Sequence, residues 1–554
     1  MRRALILTLA LFGGRAAAGQ PDPHAAAVDS IFSQVDRADG PGCAVGVYRA
    51  GEVVLARGYG LADLEHGVPI TPATRFNVAS LSKQFTAYAV TLLEQRGQLS
   101  LDDVVRRHLP ELPDVGAPVT VRHLVHHTSG LRAYEVLLML SGWNRDHPLS
   151  RDQFWDVVGR QRTLGFAPGE RHQYGNTNYA LLALLVERVD GRPFADFMRD
   201  EVFAPLGMAH TFVREDPLAV VPGRAEHYTR AHGGFRKNYV WAFAYAAGAS
   251  NVVTTVGDLA RWDAHLASGR IGAVPVGPLM HRRFRLTSGD STAYAFGLEL
   301  GEYRGLRAVS HTGGGGGDYV LLRFPAQRWA AAVLCNHEGG PGAVALAYRL
   351  ADLSLADAFP PEAPAAEAVR VDVPDAELTR WAGEWRDGGD ERLTFLVQGG
   401  TLAFRYGSDV YETVPVGGGA FREGALTFAF EGAGDTLVVS RPGWRGVFRR
   451  WTDAPWAPTT ADLAAFAGTY RSDELDADWT IRAEGDTLTL HRRAFPARLL
   501  GPDDRDVLVL ADPFDDMTLT SRLAFGRDAA GRVVGFRLTA SRVADLAFRR
   551  LPQP

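Results

Sequence analysis

Lysine is almost missing from this chain. Its 554 residues include 57 arginines but only two lysines, Lys83 and Lys237. Arginine keeps its proton in any protein environment, whereas a desolvated lysine can give its proton up and act as a base. Cysteine is equally scarce. Cys43 and Cys335 are too few for a disulfide framework. Both fall in β-like runs, CAVGVY and AAAVLCNH. A bridge needs those runs to be sheet neighbours, and the expected state is two buried free thiols. No basic cluster accompanies the net charge of −5, which argues against a nucleic-acid partner. No run is apolar for long enough to span a bilayer, so no stable membrane insertion is expected. The zinc-protease signature HExxH and the nucleophile elbow GxSxG are both absent.

What is present is a folded, multi-domain composition: 46% apolar, 22% charged, with 60 glycines. Residues 1–18 read as an export signal. Arg2 and Arg3 precede an apolar core from Ala4 to Gly13, and Ala16-Ala17-Ala18 supplies small residues for cleavage. Without that segment the formal charge is −8, and the protein is expected to be exported, periplasmic or secreted.

Residues 24–358 mix strands and helices. Strands are predicted at Cys43–Tyr48, Val53–Ala56, Leu306–Ser310, Tyr319–Phe324 and Trp329–Asn336, with helices between and a closing helix near 342–355. Strands at both ends with helices between predict an α+β domain: an antiparallel sheet flanked by helices, plus a helical subdomain. A Pro/Ala-rich linker spans 359–373. Beyond it the chain repeats itself. LTRWAGEWR (378–386) is echoed by LAAFAGTYR (463–471), GGTLAF (399–404) by GDTLTL (485–490), and GVFRRW (446–451) by LAFRRL (546–551). Two small antiparallel β-barrels, 374–455 and 457–554, are the economical reading, because closing a sheet removes its exposed edges.

Three stretches carry chemistry. Ser80-Leu81-Ser82-Lys83 places a hydroxyl and a lysine at i and i+3, on one face of a helix whose first turn favours developing negative charge. A helix cap with a surface lysine is the plainer interpretation of this stretch. Tyr174-Gly175-Asn176 falls on a loop before a second helix, where Gly and Asn also suit a simple turn. His311-Thr312-Gly313 runs off a strand into further glycine, where free backbone N–H groups can approach a ligand. Each is weak alone. His123, His126 and His127 suggest metal ligands, but an isolated histidine cluster lacks the other ligand spacings; no metal or cofactor is called for. The stripe NYVWAFAYAAG (238–248) reads as core and pocket wall. Lys237 reads as a solvated surface lysine.

Taken in order, SxxK, YxN and HTG resemble the serine hydrolases of the class C β-lactamase and penicillin-binding superfamily. GYGLADLEHGVPITPATRFNVASLSKQFTA and VRHLVHHTSGL are similar to that family's connecting text. The resemblance covers residues 24–358. It implies Ser80 as acyl-accepting nucleophile, Lys83 as its base and Tyr174 as proton relay. It further implies Asn176, His311, Thr312 and Gly313 as substrate-binding residues, with the N–H groups of Ser80 and Gly314 as oxyanion hole. His311 stands where the β-lactamases of this class carry lysine. The histidine and the two trailing barrels resemble instead the D-aminopeptidases, whose barrels are lipocalin-like. The resemblance thus implies acyl transfer to water from a small-molecule or peptide substrate, D-amino-acid amides or peptides first. A β-lactamase, a D,D-peptidase and a carboxylesterase use the same apparatus. A rival of another class is a binding protein whose barrels capture lipid or wall fragments beside an inactive domain.

Overall fold

The structure is a computed structural model. It describes residues 25–552, apart from 144–148, 217, 232, 239–246, 339–341, 361–372, 388–391, 407–408, 424–425, 433, 442–443, 452–455, 494 and 515–516. The export signal, most of the linker and most of the aromatic stripe lie outside the described residues.

The first domain is built on six antiparallel strands. These are β1 (Cys43–Arg49), β2 (Glu52–Tyr59), β3 (Glu299–Tyr303), β4 (Leu306–Gly314), β5 (Asp318–Phe324) and β6 (Trp329–Cys335). They lie in the order β3-β4-β5-β6-β1-β2, so the chain's early hairpin completes a sheet whose other strands come some 250 residues later. Strands β1, β5 and β6 are apolar almost throughout because both faces of the sheet are covered. One face packs on α1 (Ala25–Phe32) and a closing helix, Ala343–Ser354, through Phe32, Val45, Val333 and Leu346. The other packs on the helical region through Ala44, Leu321 and Leu334.

Two expectations need correction here. Cys43 and Cys335 are not free thiols. The register of β1 on β6 sets them directly opposite, and their sulfurs are bonded. Sequence distance hid the pairing, since the bridge closes a separation of 292 residues. Lys237 is not merely solvated either: its Nζ donates to Glu65 at 2.6 Å.

The trailing segment forms two β-barrels. Nine strands between Gly383 and Trp451 make a nearly closed one, and eight between Gly468 and Arg550 close completely. The sequence repeat has a physical counterpart at each barrel's entry. A short helix, Asp375–Trp381 or Thr460–Ala465, leads into the first strand. Trp385 Nε1 donates back to the carbonyl of Trp381, and Tyr470 Oη to that of Phe466, four residues upstream in both copies. The repeated Arg-Arg pair completes the motif. Arg450 donates to the carbonyls of Arg380 and Ala382, and Arg550 to those of Ala465 and Ala467. Each arginine thereby satisfies carbonyls that a helix C-terminus leaves open.

Side chains fill both interiors. Trp385, Phe395, Phe428 and Phe448 occupy the first, and Trp479, Phe525, Phe536 and Phe548 the second. That packing argues against the barrels as ligand cups. The second barrel's core runs on into that of the helical region, whereas the first barrel's core is separate.

Candidate active site

The backbone enters the site under constraint. Ala79 holds a left-handed φ of +49°, a conformation that costs a non-glycine residue energy. The chain then makes a 3-10 turn, Ala79–Ser82, before α2 (Lys83–Gln95) begins. Ser80 therefore sits in the turn just ahead of the helix. Strand β4 lies against this turn. A side chain at Gly313 would come within 2.3 Å of the Val78 carbonyl, so only glycine lets the strand approach.

Lys83 is fully buried. Its Nζ lies 2.9 Å from Ser80 Oγ, 2.8 Å from Asn176 Oδ1 and 2.8 Å from the Ala249 carbonyl oxygen. Burial pushes its pKa well below the usual lysine value; the Arg542 guanidinium lowers it further, and Glu135 opposes both. Asn176 is the first residue of α3 (Asn176–Asp190) and not part of the loop before it; Gly191 ends that helix in the left-handed region. With Oδ1 facing Lys83, the Asn176 amide turns Nδ2 toward Glu135 and donates to Oε1 at 2.9 Å. The second carboxylate oxygen of Glu135 is buried and holds no hydrogen bond among the described residues.

Tyr174 closes the group. The Lys83 ammonium position lies 4.7 Å from its ring centre. Its buried hydroxyl makes no hydrogen bond of ordinary geometry among the described residues. Burial raises the phenol pKa, and the nearby Ser80 hydroxyl partly offsets this. Behind Tyr174 stands His127, ring centres 4.4 Å apart. Ser129 Oγ donates to Asn178 Oδ1 at 2.6 Å, which turns Asn178 Nδ2 to His127 Nδ1 at 3.0 Å. His127 is thus neutral, its proton on Nε2, and burial holds its pKa well below normal. The other two histidines of the cluster turn elsewhere. His123 joins a capping box with Thr120, and His126 faces the Tyr294 carbonyl.

His311 is buried on β4, its ring centre 6.3 Å from that of Tyr174. Its Nδ1 lies 2.6 Å from the Thr312 carbonyl oxygen, which can only accept, so Nδ1 carries the proton. Nε2 therefore accepts from Tyr294 Oη at 2.9 Å. Both nitrogens are committed with the ring neutral, and burial brings its pKa down to about 3. Thr312 is half-buried and Gly314 exposed at the end of the same strand.

Ser80, Lys83, Tyr174 and Asn176 thus come together, with His311 behind them. Glu135, Tyr294, Arg542 and the Ala249 carbonyl also take part and were not anticipated. Glu135 did leave a trace, as the one acid in the otherwise apolar helix YEVLLMLS. Arg542 left none.

Helices on both faces of an antiparallel sheet, with a buried lysine against a serine, define a hydrolase architecture. The chain belongs to the beta-lactamase family, whose model matches residues 28–356. It is 28% identical over 542 residues to a D-aminopeptidase of Brucella canis, covering 92% of this chain and 96% of that protein. The fold resembles D-amino acid amidase from Ochrobactrum anthropi SV3: TM-score 0.51, 23% identity, 60% of this chain and 98% of that one. It also resembles the octameric penicillin-binding protein homologue from Pyrococcus abyssi: TM-score 0.51, 19% identity, 94% of this chain and 98% of that one.

Proposed function

We propose that this protein is an exported serine hydrolase that cleaves D-amino-acid amides or peptides through an acyl-enzyme on Ser80. The observation that carries the reading is the 2.9 Å approach of Lys83 Nζ to Ser80 Oγ in a desolvated site. A lysine that has lost its proton keeps two N–H donors and one lone pair. The Asn176 and Ala249 oxygens can only accept, so they take the two N–H groups and leave the lone pair for the serine proton. Arginine could not play this part.

Ser80 then attacks the substrate carbonyl while Lys83 takes its proton. The backbone N–H groups of Ser80 and Gly314 hold the oxyanion. Tyr174, neutral in the resting site, relays the proton to the departing amine. Water cleaves the acyl-enzyme by the reverse relay.

Two features favour an amino-acyl substrate over a β-lactam. His311 is neutral and internally bonded, so the strand position where the β-lactamases of this class carry lysine holds no fixed cation here. Glu135 offers an unpartnered carboxylate oxygen beside Asn176, suited to the free ammonium of an amino-acid amide. The D-aminopeptidase relatives point the same way. Export rests on the N-terminal signal, and the Cys43–Cys335 bridge suits an oxidising compartment.

The test is hydrolysis of D- and L-alanine p-nitroanilide by the mature protein, with Ser80→Ala as control. Turnover of the D form, lost in the variant, is expected. Equal turnover of both forms, or activity surviving in Ser80→Ala, would sink the reading.

A further inference from the structure

The second barrel reaches into the site. Its last hairpin joins strands Val533–Ala540 and Val543–Arg550 through Ser541 and Arg542. Arg132 clamps this hairpin to the first domain. The Arg132 side chain is 1% exposed and donates to the carbonyls of Ala544 and Asp545, both at 2.7 Å, and to Glu474 at 3.0 Å. Ala133 N donates to the Arg542 carbonyl at 3.1 Å. The tip of the barrel is thus fixed over the loop that leads to Glu135.

Arg542 occupies that tip with a left-handed φ of +60°. Glycine or asparagine would adopt it at less cost in a two-residue turn, so the arginine stands there against its backbone preference. Its guanidinium lies over the Tyr174 ring, 5.0 Å from the centre. Its one ion contact among the described residues is with Glu135 Oε1, at 3.5 Å. Its side chain makes no hydrogen bond among the described residues and stays 43% exposed. Its N–H donors are therefore left to solvent or to a ligand at the edge of the site. Lys83 is neutral by its role and His311 by its bonds, so the fixed positive charge at Tyr174 is that of Arg542.

We infer that Arg542, supplied by the second barrel, binds a carboxylate of the substrate, so that this site selects D-amino-acyl compounds carrying an anionic group next to the scissile amide. Glu135 would take the substrate's ammonium and Arg542 its carboxylate, a charge pair set side by side for a substrate bearing both. The carboxylate can belong to the acyl residue, as in a D-glutamyl amide, or to the leaving group, as in a dipeptide. The inference rests on the acyl-transfer reading of Ser80, and it is tested by binding so that the two can fail separately.

On Ser80→Ala protein, calorimetry compares three D-anilides. D-glutamic acid α-anilide carries an acyl-side carboxylate, and D-alanyl-p-aminobenzoate a leaving-side one. D-glutamine α-anilide is the neutral reference. One of the charged compounds is expected to bind about tenfold more tightly than the reference, as a charge-assisted contact allows; which one identifies the source of the carboxylate. Adding Arg542→Gln should remove that advantage, and Arg542→Lys should restore part of it. No advantage for either charged compound, or one that survives Arg542→Gln, overturns the inference. Activity of the wild-type protein on D-alanine p-nitroanilide reports separately on the acyl-transfer reading.

Discussion

Asn176 joins Lys83 to Glu135, accepting from the lysine at 2.8 Å through Oδ1 and donating to the carboxylate at 2.9 Å through Nδ2. One amide therefore sets the base of the candidate reaction and the acid of the candidate ammonium site in a single line. The order of this relay fixes the amide's orientation, because its oxygen cannot donate and its nitrogen cannot accept. Chemistry and recognition share a support, so substitutions along the line should separate kcat from KM.

Lys83→Arg keeps the charge and much of the length but cannot release a proton at neutral pH. It should fall with Ser80→Ala to the background rate, a loss on the order of 10³-fold or more, and the double variant should be no worse. Tyr174→Phe should lower kcat by roughly 10²–10⁴-fold, the range of a lost acid–base relay. Single-turnover kinetics on an anilide substrate would check both. Full activity in Lys83→Arg would exclude lysine as the base.

Glu135→Gln preserves shape and removes the charge. For D-alanine p-nitroanilide we expect KM to rise about tenfold, as for a lost charged hydrogen bond. N-acetylated D-alanine p-nitroanilide lacks the ammonium and should show a smaller change. Equal changes for the two substrates would assign Glu135 to holding Asn176 alone.

The pH profile carries a sign that can be checked. Lys83 must be unprotonated to act, so kcat/KM should rise with pH along an acid limb that reports its proton loss. Burial is the main cause of its lowered pKa, Arg542 adds to it, and Glu135 opposes it. Arg542→Gln should therefore move the limb to higher pH, and Glu135→Gln to lower pH. Shifts in the same direction would contradict this electrostatic account.

The Cys43–Cys335 bridge ties the early hairpin to the late strands across 292 residues. Opening it with a thiol reductant, or replacing both cysteines by alanine, should cost about 2–4 kcal/mol of stability. Chemical denaturation of the oxidised and reduced proteins would measure this. Because the bridge sits in β1 and β6, outside the group around Lys83, the reduced protein should keep its activity at low temperature.

The local elements were legible in the sequence because their causes are local. Short continuous apolar runs mark Tyr319–Phe324 and Trp329–Cys335 as strands, and Gly191 ends its helix where glycine is expected. The barrel repeat could be read because the same entry motif, an aromatic residue bonding back four positions, was written twice. Ser80 and Lys83 stood out because both lie within one helical turn and lysine is otherwise so rare.

Charge, protonation and partnership were decided elsewhere. Burial first, and then the Arg542 guanidinium, lower the Lys83 pKa; both come from residues far along the chain, and desolvation has no local signature. His311 is neutral because Tyr294 and the Thr312 carbonyl claim its two nitrogens, which no spacing rule shows. The cysteines pair because the sheet order brings the chain's beginning beside its later strands. Arg542 faces Tyr174 only because Arg132 clamps the second barrel in place. The sequence by itself determined which elements form and which residues are able to do chemistry, since those follow from periodicity and residue type. Only the tertiary structure decided which charges survive in the site and which residues meet, because burial and long-range contact belong to the packed chain.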